Sequence, residues 1–311
     1  GQASFVIKES ESGGKQNVEV TPDVSTCVDC LREMNDKEDR RFGYPFINCT
    51  NCGPRYSIVK SIPYDRKSTT MASFPMCEAC QQEYDSPLDR RFHAQPNACF
   101  DCGPHLWLTD EKGKVVAKED AISICAKELL AGKIVAIKGL GGFHLACRAD
   151  DDEVVLRLRK LKARETKPLA LMVPSLESVA KLVQLDELAE KTLLSVAHPI
   201  VLCPKVKECP ISVHVAPGTG TLGIMLPYTP LHELLFAKVQ IPLVMTSANP
   251  SDEPLCAENE EALMRLSKLA SLFLLHNRDI ERAIDDSVVV AMNGRMVLLR
   301  RARGDVPAKI P

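Results

Sequence analysis

Cys27-Val28-Asp29-Cys30 and Cys49-Thr50-Asn51-Cys52 come back as Cys77-Glu78-Ala79-Cys80 and Cys99-Phe100-Asp101-Cys102, each cysteine 50 residues after its counterpart. Eighteen residues separate the two pairs within each set, and 24 separate the sets. The surroundings repeat too: Asp39-Arg40-Arg41-Phe42 returns as Asp89-Arg90-Arg91-Phe92, and Cys52-Gly53-Pro54 as Cys102-Gly103-Pro104. A CxxC turn puts two thiolates on one side of a tight loop, so two such turns complete a tetrahedral shell around zinc. The repeat therefore predicts two zincs, one held by Cys27, Cys30, Cys49 and Cys52, the other by Cys77, Cys80, Cys99 and Cys102. Sequential grouping closes shorter loops than interleaving, which stands as the alternative. Four thiolates leave no open position for water or substrate, so the metal is structural, and His93 and His105 are not needed as ligands.

A disulfide framework is the competing explanation. Thirteen cysteines is an odd count, no apolar signal segment opens the chain, and the other five cysteines are scattered singly. That usage suits reduced thiols in a cytoplasmic protein. No 18-residue apolar run is present, which leaves no candidate for a membrane-crossing helix. Residues 1–108 carry 12 Lys+Arg against 15 Asp+Glu, and residues 109–311 carry 27 against 26. Neither part has the basic excess of a chain that grips phosphate backbones, so nucleic acid is not an expected partner.

Three domains are expected: a linker over 1–25, the tandem four-cysteine modules over 26–108, and an α/β domain over 109–311. Glu9 to Asn17 is polar and aperiodic, as linkers are. A chain that opens on a linker is expected to come from something longer, with Gly1 a cloning remnant. The cysteine-rich part has too little aliphatic content to fold alone, and the metal supplies the missing stability.

Beyond residue 115 the pattern alternates between helix and strand. Glu119 to Ala131 has helical spacing and stops at Gly132, a favourable C-cap. Lys133–Lys138 reads as a strand leading into the turn Gly139-Leu140-Gly141-Gly142. Asp150-Asp151-Asp152 opens a helix that runs to Lys162, acids first and bases last as the helix dipole prefers. Strands follow near Leu169–Val173, Ile200–Cys203, Leu222–Met225 and Leu243–Thr246. Ser287–Met292 and Arg295–Arg300 form a hairpin turning at Asn293-Gly294. The expected sheet is mixed and twisted, packed with helices.

Neither a P-loop nor a full dinucleotide fingerprint is present, and the Gly139–Gly142 turn fits a tight bend as well as a phosphate contact. Two clusters carry more chemistry. Lys162-Ala163-Arg164-Glu165-Thr166-Lys167-Pro168-Leu169 places three cations at a helix-to-strand junction, and Thr246-Ser247-Ala248-Asn249-Pro250-Ser251 follows an apolar strand with short polar groups. Together they resemble the Lys-x-Arg…Ser-x-Asn signature of the YrdC-like family, which makes carbamoyl-type adenylates from ATP. The CxxC array, Tyr44-Pro45-Phe46, Asn48-Cys49-Thr50-Asn51-Cys52-Gly53-Pro54-Arg55 and Arg300-Arg301-Ala302-Arg303-Gly304 narrow the resemblance to the HypF family of hydrogenase-maturing carbamoyltransferases.

The resemblance implies a central fragment, with an acylphosphatase domain before it and a C-terminal transferase domain after it. It also implies carbamoyl-adenylate formation from ATP, Mg2+ and carbamate derived from carbamoyl phosphate. The carbamoyl group then passes to HypE and becomes a cyanide ligand of [NiFe] hydrogenase. In this reading Lys162 and Arg164 are catalytic, and Lys162, Arg164 and Lys167 hold the phosphates. Ser247 and Asn249 hold the adenylate, His144 and Arg278 contact carbamate or nucleotide, and Asp285-Asp286 is either a Mg2+ site or a capped strand start. Two alternatives stand: a threonylcarbamoyl-adenylate synthase for tRNA modification, and a non-enzymatic zinc module that recruits RNA or protein.

Overall fold

The computed structural model describes residues 20–249 and 253–308. In each module the first cysteine caps a short helix, α1 (Val28–Asn35) after Cys27 and α2 (Glu78–Asp85) after Cys77. The second cysteine of each turn, Cys30 or Cys80, then lies in the first helical turn and is buried. A small apolar cluster backs the first module: Met34, Tyr44, Phe46, Ile47, Ile58 and Met71 pack with Cys30, Cys49 and Cys52.

The rest is a mixed sheet of eleven strands among the described residues. In chain order they are β1 (Leu106–Asp110), β2 (Val115–Ala117), β3 (Val135–Lys138), β4 (Phe143–Arg148), β5 (Ala170–Met172) and β6 (Ile200–Pro204). They continue as β7 (Thr221–Met225), β8 (Leu243–Ser247), β9 (Leu272–His276), β10 (Val288–Met292) and β11 (Arg295–Arg300). Their order is β11-β10-β6-β7-β5-β8-β4-β3-β9-β1-β2. Only β3/β9, β5/β7 and β6/β10 pair in parallel. The intervening helices are α3 (Ala121–Leu130), α4 (Asp152–Lys162), α5 (Leu176–Ala180), α6 (Glu187–Leu193), α7 (Pro230–Val239) and α8 (Asn259–Leu266).

Alternation along the central strands divides the core between the two faces of the sheet. Leu145, Cys147, Phe273 and Leu275 belong to one apolar cluster, while Ala146, Leu272 and Leu274 belong to the other. Both faces are covered, so the central strands read as apolar runs without a polar side.

The expected mixed α/β fold with tandem four-cysteine modules is the fold observed. Asn293 and Gly294 have φ of 51° and 72°, as a two-residue hairpin turn of the primed type requires. At two of the expected boundaries the chain takes part in the fold on both sides. Residues 1–19 of the expected linker lie outside the described residues, but its end is built into the fold. Asp23 is buried and its Oδ1 accepts from the Arg55 amide (2.6 Å) and the Ser57 hydroxyl (2.8 Å), while Val24 bridges to Gly53. At the other boundary, Leu106–Asp110 pairs antiparallel with β9 along its whole length.

The modules pack against the sheet domain. Thr26 N donates to the Tyr228 carbonyl (3.2 Å), Glu281 N to the Ser57 carbonyl (2.8 Å), and His105 N to Asn277 Oδ1 (2.8 Å).

Candidate functional site

The eight repeated cysteines form two clusters, Cys27/Cys30/Cys49/Cys52 and Cys77/Cys80/Cys99/Cys102, in the sequential grouping. In the first, Sγ atoms lie 3.7 Å (Cys27–Cys49), 3.8 Å (Cys49–Cys52) and 3.5 Å (Cys52–Cys30) apart. In the second they lie 3.7 Å (Cys77–Cys99), 3.9 Å (Cys99–Cys102) and 3.6 Å (Cys102–Cys80) apart. A tetrahedral zinc–thiolate shell with bonds of about 2.3 Å needs sulfur–sulfur separations of about 3.8 Å. These distances are far beyond an S–S bond, so the residues fit zinc and do not form disulfides. Zinc bound there would tie two CxxC turns together and leave no position for substrate.

The second site lies in the sheet domain, in a cavity of about 610 Å³ lined by Lys162, Arg164, Lys167, Thr246, Ser247, Asn249, Asp285, Asp286 and Arg300. Helix α4 is started by Asp151, whose carboxylate accepts from Val154 N (3.1 Å). It ends at Ala163, a non-glycine residue at φ 47°. That left-handed residue turns the chain so that Lys162 and Arg164 both face β8. Lys162 Nζ donates to the carbonyls of Ser247 (2.6 Å) and Asn249 (2.8 Å). Arg164 donates to Thr246 Oγ1 (3.2 Å) and the Pro168 carbonyl (2.6 Å). Ser247 Oγ donates to Asn249 Oδ1 at 2.9 Å, and Asn249 Nδ2 to the Glu253 carbonyl at 2.7 Å. The two clusters noted in the sequence, 80 or more residues apart, are thus one unit.

Lys162 is 4% exposed, and burial, followed by the nearby Arg164 charge, lowers its pKa to about 8. Burial likewise lowers that of Arg164. Cations held against their own preference in this way are ready to be neutralised by an anionic ligand.

One organising residue escaped the sequence reading. Arg159 is 6% exposed and donates to the carbonyls of Arg164 (2.8 Å), Glu165 (3.1 Å), Lys167 (3.2 Å), Val215 (3.1 Å) and His214. It holds the 164–167 loop against the turn at 214–215. On the sequence it looks like any basic residue in the last turn of a helix, which is why nothing marked it out.

Neither His144 nor Arg278 lines the Lys162 cavity itself. His144, opposite Ser247 in the β4/β8 ladder, bonds through Nε2 to Asp286 Oδ2 (3.0 Å). Asp286 also accepts from Arg303 Nε (2.6 Å), and Arg303 lies 3.4 Å over the Tyr228 ring. Burial would raise the Asp286 carboxyl, but Arg303 and His144 outweigh it and hold it well below the usual range. Asp285 pairs with Arg300. Arg278 is buried where the modules meet the sheet, stacked on Phe46 at 5.1 Å. It lines a different, smaller cavity together with Lys138 and His276.

The glycine turn is a packing device. A Cβ at Gly141 would come within 2.4 Å of the Ile284 carbonyl oxygen, and one at Gly142 within 2.4 Å of Leu255.

Residues 127–302 match the Sua5/YciO/YrdC family, described as telomere recombination, and residues 26–59 and 76–109 each match the HypF finger. The chain is 50% identical over 308 residues to the carbamoyltransferase HypF of Synechocystis and 52% identical over 307 residues to that of Rhodobacter capsulatus. Each alignment covers 99% of this chain and 40% of the relative, so the chain spans well under half of these proteins. Full-length HypF in its phosphate- and nucleotide-bound form superposes with a TM-score of 0.90 at 53% identity, covering 93% of this chain and 38% of that one. P. abyssi Sua5 complexed with L-threonine gives a TM-score of 0.54 at 20% identity, over 60% of this chain and 55% of that one, and so shares the fold.

Proposed function

Given that this chain belongs to the HypF family, by its Sua5/YciO/YrdC domain and its paired HypF fingers, we propose that it carries the adenylating step of a carbamoyltransferase. Its substrates would be ATP with Mg2+ and carbamate released from carbamoyl phosphate. The observation that carries this reading is the joined cluster of Lys162, Arg164, Lys167, Ser247 and Asn249 around one cavity. A carbamate oxygen attacks the α-phosphorus of ATP, the P–O bond to the β-phosphate breaks, and pyrophosphate leaves with the electron pair.

Charge accumulates on the phosphoryl oxygens during that displacement, and fixed cations stabilise it without reorganising. Lys162 and Arg164 are the catalytic residues in this reading. Lys162 has a second task, because its ammonium orders the Ser247–Asn249 turn that would hold the adenylate. Lys167 would meet the outer phosphates. His144, bound to Asp286, would act at the rim of the site, and Arg278 would serve the adjoining small cavity.

The remaining parts of the route also belong to this proposal: two structural zincs, HypE as carbamoyl acceptor, flanking acylphosphatase and transferase domains, and a cytoplasmic setting. No helix among the described residues is long and apolar enough to cross a membrane.

The test offers carbamate and ATP in one tube, and L-threonine, bicarbonate and ATP in another, and follows the adenylates by mass spectrometry. Carbamoyl-AMP in the first tube is expected. Product confined to the second would move the assignment to threonylcarbamoyl-adenylate synthesis, and product in neither would defeat adenylation by this chain.

A further inference from the structure

Contacts run across the fifty-residue repeat. Arg40 belongs to the first module, yet its guanidinium donates to Cys80 Sγ (3.1 Å) of the second and pairs with Glu83 (2.9 Å). Arg41, 2% exposed, donates to the Ala98 carbonyl (2.9 Å), Asn97 Oδ1 (3.0 Å) and Glu83 Oε1 (2.9 Å). Arg90 and Arg91 return the pattern. Arg90 donates to Cys27 Sγ (3.3 Å) and Cys30 Sγ (3.4 Å) and meets Glu33 at 2.9 Å. Arg91 donates to the Asn48 carbonyl (3.1 Å) and to Glu33.

Each arginine pair is set by its own module. Asp39 Oδ1 accepts from the Arg41 amide (2.7 Å) and Asp89 Oδ1 from the Arg91 amide (2.8 Å), closing matching turns. Phe42 N and Phe92 N donate back to the Asp39 and Asp89 carbonyls at 2.9 and 3.0 Å. Any loosening of one module that displaces this turn removes the donors from the sulfurs of the other.

A divalent ion with four thiolates carries a net charge of about −2, and hydrogen bonds from cations to the sulfurs stabilise that charge. Outer partners of this kind commonly set metal affinity by about 10–100-fold. Here those partners come from the other module. We infer that the two cysteine clusters are one cooperative metal-binding unit, each completed by the arginines of its neighbour, so that metal at one raises affinity at the other. This depends on the zinc reading of the clusters and is independent of the adenylation chemistry.

Two measurements test it. In the first, metal-free chain is titrated with Co2+ and followed by native mass spectrometry. Independent equal sites would leave about half the chains singly loaded at half saturation, whereas coupling of the usual size lowers that fraction to about 8–30%. A singly loaded fraction near one half overturns the inference. In the second, loaded chain is challenged with a chelator while thiol labelling is mapped by peptide. Arg40→Ala should expose Cys77, Cys80, Cys99 and Cys102 about tenfold faster, and Arg90→Ala should do the same to Cys27, Cys30, Cys49 and Cys52. Arg40→Lys, which keeps the charge but not the planar fork, should restore part of the loss. Earlier opening of each variant's own module would overturn the crossed assignment. The Co2+ titration needs no variant, so it decides the matter even where a substitution prevents folding.

Discussion

Residues 26–105 fold around eight sulfurs and four arginines, with two eight-residue helices, whereas the described residues from 106 onward fold around a sheet with aliphatic cores on both faces. The first region keeps its information in a few irreplaceable atoms, and the second spreads it over many interchangeable methyl groups. The two should therefore fail differently. Removing metal should cost the modules the roughly 10–16 kcal/mol typical of structural zinc, which exceeds the stability of most domains. Chelation is then expected to release amide protection throughout 26–105 while β3, β4 and β9 stay protected in hydrogen exchange. Simultaneous loss in both regions would erase the distinction drawn here.

The reverse experiment strikes the sheet domain's site and spares the metal. Lys162→Ala should lower carbamoyl-AMP formation on the order of a hundredfold with zinc content unchanged, as loss of one fixed electrostatic donor does. Because Lys162 also satisfies two carbonyls, its removal should cost about 1–3 kcal/mol of stability, visible as a lowered Tm.

Arg159→Ala should act more mildly and on binding. It frees the 164–167 loop without removing a charge from the cavity, so KM for ATP should rise about tenfold while kcat changes little. A fall in kcat alone would mean that Arg159 reaches the reacting groups.

The smallest effect is set by pH. Lys162 titrates near 8, and a bound phosphate would raise that value, so binding takes up a proton above it. Nucleotide affinity should be flat below pH 8 and fall above it, by at most about tenfold per unit. Stability runs the other way. The lysine pKa is lower in the folded state than its ordinary value of 10.5, so its penalty is relieved as pH rises from about 8 toward 10.5. Titration calorimetry and melting curves against pH would separate the two.

Much of this was legible in the sequence because the determinants are local. The CxxC spacing marked the two cysteine clusters, shorter loop closure favoured their sequential grouping, and Asp151 through Lys162 marked the helix that ends at the site. Strand β4 was missed because Gly139–Gly142 stops the pattern just before it, and β9 because its five buried residues have no polar side to reveal a period. Arg159, and the joining of Asp286 to His144 and Arg303, were beyond reach for another reason. Their meaning lies in partners up to 142 residues away, such as His144 for Asp286, and composition around an arginine says nothing of which carbonyls will surround it. Residues 23–25 were read as linker for the same reason, since Asp23 becomes structural only when Arg55 and Ser57 arrive.

The exchanged arginines have a consequence for how such an array can grow. Two modules that satisfy each other reciprocally form a closed pair, as an isologous dimer does, here folded into one chain. A third copy added in line would find no turn left to trade with, and a single copy would keep a glutamate and a thiolate cluster facing water. The unit of inheritance and of engineering is then the pair. Deleting one module should strand the other, and transplanting the metal site to another protein should require all 76 residues from Cys27 to Cys102.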